Sequence, residues 1–151
     1  MKLKSVANFY SIEENHDIKL CICKFVRHLY KKDESIIIID SNDKLNELDR
    51  LLWSFEQNSF LPHKIYNDGD MIDTPIILLS IQNLDKLRIF NKYTSIINNY
   101  DNALLMLEND IEIYEFVDSN ESNKLISRKK FLEYKKNNFI LHHNKYNEQT
   151  I

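Results

Sequence analysis

Two stretches of the chain, SIIIID at Ser35–Asp40 and IILLS at Ile76–Ser80, are apolar without alternation. A strand covered on both faces reads this way, and such strands belong to mostly parallel sheets. Elsewhere the apolar residues return at helical spacing. Over Asp17–Lys32 the recurring positions are Leu20, Cys23, Val26/Arg27 and Tyr30, with Asp17 near the start as a cap. Ser41–Trp53 predicts a second helix, capped by Ser41 or Asn42, with Leu45, Leu48 and Leu52 as its inner stripe. Val6–Ser11 and Lys64–Tyr66 read as short strands, and one more strand lies within Leu87–Asn98. Asp101–Glu108 predicts a short helix, and Ile111–Val117 a last strand, IEIYEFV. The last helix runs from Asp118 to about Asn137, opened by Asp118 and Glu121 in a capping-box-like pair. Asn67–Pro75, punctuated by Asp68-Gly69, is a loop. Strands alternating with helices predict an α/β fold: one Rossmann-like domain over residues 1–151, with a mostly parallel sheet and helices on both faces.

Composition narrows the chemistry. At 43% hydrophobic and 28% charged residues the chain is globular. Its single glycine, Gly69, excludes a P-loop and a dinucleotide fingerprint, each of which needs several glycines at set spacings. Asp40 ends a buried strand where a dinucleotide-binding fold carries its ribose-binding acid, but no glycine loop follows the first strand, so Asp40 reads as a residue leading into the next helix. Asp68 and Asp70 flank Gly69 as a turn. Cys21 and Cys23, two apart on a helix, point about 200° from each other and share neither a metal nor a disulfide; they read as buried thiols of a reducing compartment. His142-His143 falls in a polar tail without further ligands. No serine sits in a nucleophile elbow, and no acid–base pair stands at a useful spacing. We expect no catalytic residue, no metal and no cofactor. No apolar run approaches a membrane span or a signal sequence, so the expectation is a cytoplasmic protein that touches no membrane.

The net charge of −3 argues against a general grip on the DNA backbone, so no direct nucleic-acid binding is expected. The charge is unevenly spread. Ser122–Ile151 holds seven Lys/Arg against two Asp/Glu, a net of +5, which leaves −8 on the rest. A basic segment on an acidic body suits an acidic partner met at one place. On a helical wheel Lys124, Arg128, Phe131 and Lys135 fall within roughly 60° of one another, bordered by Leu125 and Leu132. Such a strip can be a solvated outer face. It can also hold an acidic peptide with a hydrophobic end, since Arg forks a carboxylate while an apolar neighbour takes a ring.

The stretch LDRLLWSFEQNSFLPHKIY, Leu48–Tyr66, carries the only Trp, Trp53, with Phe55, Phe60 and Pro62 around a helix end and a loop. Aromatics in a surface loop mark a partner surface when exposed, and a core contact when they fold back on their own domain. His63, beside Pro62, reads as a hydrogen-bonding structural residue.

The order LD-x-x-LW, a polar spacer, then SF-x-PH resembles the chi subunit of bacterial DNA polymerase III. Leu48, Asp49, Leu52, Trp53, Ser59, Phe60, Pro62 and His63 match in one register. The segment FVDSNESNKLISRKKFLEYKKNNFIL is similar to that family's C-terminal helix. The resemblance implies a non-enzymatic accessory subunit associated with the clamp loader. It implies that Lys124, Arg128, Phe131, Lys135 and Phe139 receive the acidic, Phe-terminated tail of single-stranded-DNA-binding protein. It implies that Trp53, Phe60 and Pro62 face the psi subunit. Leu132 departs from the family, which often has a basic residue there; Lys135 or Lys136 can compensate. Two alternatives remain: an adaptor for a repair helicase through the Trp53/Phe60 surface, and a nucleotide-dependent α/β enzyme, against which the single glycine stands.

Overall fold

The computed structural model describes residues 5–58, 60–105 and 111–147. Seven strands form one sheet: β1 (Val6–Ser11), β2 (Ile36–Asp40), β3 (His63–Ile65), β4 (Ile76–Ser80), β5 (Ser95–Asn98), β6 (Glu112–Val117) and β7 (Ile140–Lys145). Their order across the sheet is β3-β4-β2-β5-β6-β1-β7, and every pairing is parallel. Parallel neighbours need crossovers. These are α1 (Ile18–Lys31), α2 (Asn42–Ser54), a 3₁₀ segment at Ile81–Ile89 and α3 (Glu121–Lys136).

The apolar runs lie where unalternating patterns place them. Every residue of β2 and β4 is buried. One face of the sheet packs against α1 and α2 through Phe25, Val26, Leu29, Leu45, Leu48 and Leu52. The opposite face packs against the 3₁₀ segment and α3 through Phe9, Phe90, Tyr93 and Tyr134. In α1 the buried set is Cys21, Ile22, Cys23, Phe25, Val26 and Leu29, while Leu20, Arg27 and Tyr30 are half-buried. The helix is covered over more than one stripe because α2 and Tyr146 close over it beside the sheet.

Four expectations are corrected. Residues 101–105 of the expected Asp101–Glu108 helix are non-helical, with Leu104 buried against the core; the rest of that span lies outside the described residues. Ile111–Val117 does not hold the last strand, because Ile140–Lys145 forms β7 beside β1. His142 and His143 therefore stand on a strand and not in a tail. The cap of α3 is Asn120, whose side chain accepts from the Ser122 N–H; Asp118 instead accepts from the Ser119 N–H. At α2, Ser41 occupies the cap position without a side-chain capping bond, and the Asp40 carboxylate accepts from the Ser41 N–H at 2.8 Å. Gly69 takes φ +88° in its turn, a backbone region that side chains other than glycine's enter at a cost.

Candidate interaction surfaces

At the end of α2, Trp53 is 51% exposed and Phe60 71% exposed, with ring centroids 5.7 Å apart. Behind them the neighbours turn inward. Leu61 is buried, and His63 lies buried under Trp53 with ring centroids 4.2 Å apart. His63 Nδ1 is 2.6 Å from the Leu61 carbonyl oxygen, and its Nε2 is 3.2 Å from the Asp49 carboxylate. That ring ties the loop to α2 and so fixes the attitude of the two exposed aromatics. Pro62 is half-buried and limits the backbone between them. The Arg27 guanidinium lies over Phe55, 5.6 Å from its centroid, which stiffens the helix end from the other side.

The last helix inverts the usual pattern. Its core-facing side carries Lys130 and Tyr134, both buried, and its outward side carries Leu125 and Leu132, 61% and 62% exposed. Lys130 is ion-paired with Glu115 of β6, and its Nζ donates to the Tyr100 carbonyl at 2.5 Å. The Tyr134 hydroxyl donates to Glu115 at 2.6 Å and accepts from the Leu104 N–H at 3.1 Å. Asn98 Nδ2 donates to the same carboxylate at 2.8 Å. Burial pushes the Glu115 carboxyl up against the downward pull of Lys130 and the other donors. Sequence reasoning missed this cluster. Its one signal was Glu115 itself, a charge in the middle of a buried strand that had to find a cation.

The network fixes how α3 sits. Lys130 leans toward β5, whose Asn98 and following Tyr100 supply its carbonyl partners. The other flank, with Lys124, Arg128, Phe131 and Lys135, therefore faces β1 and the β7 edge. The Phe131 ring meets Phe9 of β1 edge-on at 5.3 Å, and Phe139 meets Tyr134 at 4.8 Å. Phe131, Phe139 and Leu141 are each half-buried, packed on the core and open on one side. Lys124 is half-buried and 3.7 Å from Glu121; Arg128 and Lys135 are exposed. The expected stripe is thus one surface in space, a cationic rim beside half-open rings, while Trp53, Phe60 and Pro62 form a second surface on the opposite side of the sheet.

A polar crevice of about 240 Å³ opens where β2, β5 and β6 end, lined by Lys19, Asp40, Lys44, Asn98, Asp101 and Asp118 among others. In open α/β sheets this is the place for a ligand. Here the α1 N-terminus already holds an anion: the Asp17 carboxylate accepts from the Lys19 N–H at 2.9 Å. Burial raises the pKa of Asp40, which spends its oxygen on the Ser41 N–H. The α1 N-terminus here is thus occupied by its own Asp17, and three lining carboxylates, Asp40, Asp101 and Asp118, work against an anion such as phosphate. Among the described residues, no group of three or more His, Cys, Asp or Glu is arranged to hold a metal ion, and no helix is long and apolar enough to cross a membrane.

Fold and surfaces together define a parallel α/β domain whose notable surface features are an exposed aromatic pair and a basic helix flank. The solved structure of T4 UvsW shares this fold, with a TM-score of 0.60 at 9% identity; the match covers 96% of this chain and 42% of that one, so the chain spans less than half of that protein. No curated protein matches the chain. Residues 5–142 match the family model of the DNA polymerase III chi subunit, HolC, and the chain belongs to that family. That family is named for an accessory subunit of DNA polymerase III.

Proposed function

We propose that this subunit is a non-catalytic adaptor. Its basic α3 flank receives the acidic, Phe-terminated tail of single-stranded-DNA-binding protein, and its Trp53/Phe60/Pro62 surface receives the psi subunit. The observation that carries the reading is the setting of Arg128. It projects from α3 between Lys124 and Lys135, on the flank where Phe131 and Phe139 lie half-open. Charge draws the tail in, Arg128 forks a carboxylate, and the rings border a place for the terminal Phe. Two ends with different chemistry suit a protein that links two others. The acidic remainder of the chain works against binding DNA directly.

The test is calorimetric titration with a short acidic peptide ending in Phe. Arg128→Ala weakens binding at least tenfold, and wild-type affinity falls as salt rises. Unchanged affinity in Arg128→Ala removes the assigned site.

A further inference from the structure

The two edges of the sheet differ. On one side β3 pairs over three residues only. On the other, β7 pairs with β1 over six consecutive residues, Val6↔Ile140 to Ser11↔Lys145, with no slip in register. The Ile140 N–H donates to Ser5 and the Tyr146 N–H to Ser11. Residues of that parity turn their backbone groups toward β1. Leu141, His143 and Lys145 therefore turn their N–H and C=O groups away from the sheet, and among the described residues no strand pairs with them. Natural edges are usually blunted by proline, bulges, brevity or lysines; β7 has no proline and no bulge, is six residues long, and carries a lysine only at its last position, Lys145.

Side chains follow the same alternation. Leu141, His143 and Lys145 align with Ala7, Phe9 and Ser11, and Leu141 packs on the core face that α3 covers. The His143 Nε2 lies 2.7 Å from the Ser11 hydroxyl on that face. So the free row of β7 lies on the sheet edge beside α3, which packs on β7 and carries Lys124, Arg128 and Lys135, with Lys145 adding a further cation.

From this juxtaposition we infer that an acidic peptide binds as an eighth strand on β7, its backbone hydrogen-bonded to Leu141, His143 and Lys145 while its carboxylates meet the α3 cations. This deepens the tail-binding reading above and rests on it. Charge selects the occupant: cations line this edge, so an extended acidic segment fits where a basic or neutral one does not. The direction follows too. Phe139 stands just before β7, and Lys124 stands in the first turn of α3, the helix that leads back into β7, so it lies toward the opposite end of that strand from Phe139. A peptide with its terminal Phe at Phe131/Phe139 and its acids reaching toward Lys124 runs antiparallel to β7, in a sheet otherwise wholly parallel.

The experiment uses the full chain and three synthetic forms of one acidic, Phe-terminated peptide: the parent, one N-methylated at alternate backbone nitrogens, and one N-methylated at the intervening ones. A peptide strand turns every second N–H toward its neighbour, so one methylated form loses about tenfold or more in affinity and the other binds like the parent. Amide exchange at Leu141, His143 and Lys145 slows in the parent complex. If the parent binds, Arg128→Ala weakens it and both methylated forms match it, the added strand is wrong and the tail site stands. If the parent does not bind, both readings fall.

Discussion

Lys130 of α3 reaches through the helix–sheet interface to the Glu115 carboxylate, and both residues are more than nine-tenths buried. A helix whose outward face shows two leucines is held down by a charge. Removing one member of such a pair strands the other in a medium that solvates it poorly. Lys130→Met is expected to cost roughly 3–5 kcal/mol, read as a drop in urea midpoint. Adding Glu115→Gln to that variant recovers part of the loss, because no unpaired charge remains.

That variant has a pH signature. Without Lys130, burial raises the Glu115 carboxyl still further. A carboxyl raised in the folded state holds its proton there at pH values where the unfolded chain has lost it. The folded form then binds more protons, and stability rises as pH falls through that window. The Lys130→Met deficit against wild type narrows from pH 7 toward the ordinary carboxylate range. A deficit that stays constant or widens on acidification refutes the assignment of its cause to Glu115.

Tyr134→Phe keeps the ring on Phe9 and Phe139 and removes one hydroxyl. The Leu104 N–H loses its acceptor, and Glu115 loses one donor. The expected cost is about 1–3 kcal/mol, measured by the same denaturation.

At the aromatic surface, Phe60→Ala changes stability by no more than about 0.5 kcal/mol, because the ring is 71% exposed. It nonetheless weakens capture of the psi subunit in a pull-down with purified partners. Leu125→Ala is the control, since Leu125 is 61% exposed on α3, which packs on the opposite face of the sheet from α2. Equal capture by both variants removes Phe60 from the partner surface.

Burial lifts the Cys23 thiol to about 12, and Cys21 is buried beside it on α1. Neither alkylates appreciably with iodoacetamide at pH 8 in the folded protein, and both react once it is unfolded in urea. Mass spectrometry counts the adducts.

The interior was readable from sequence because burial writes itself into residue type. Ile36–Asp40 and Ile76–Ser80 had no polar face, and their strands begin or end within a residue of the pattern. β7 was hidden for the opposite reason. ILHHNK sits at an edge, solvent takes most of its side chains, and only Leu141 packs on the core, so no alternation develops. The last helix was legible in extent but not in orientation. The helical wheel set the basic stripe beside Leu125 and Leu132 without fixing which side is buried; the Glu115 charge on β6 called Lys130 inward and left both leucines facing water. The stripe of Lys124, Arg128, Phe131 and Lys135 was visible as spacing; that it borders an open strand edge required the strand itself.

The partners of β1 carry a consequence for the order of assembly. Val6 is matched with Glu112 on one side and Ile140 on the other. β1, the earliest of the seven strands along the chain, thus has no neighbour until more than a hundred residues have followed it. During that interval Phe9 has neither Phe131 nor Tyr134 to cover it. The strands β2 to β5, contiguous in the sheet, can zip together early, while β1 waits for β6 and β7. Nascent chains halted before α3 would display that strand to whatever binds exposed β edges first, chaperone or aggregate.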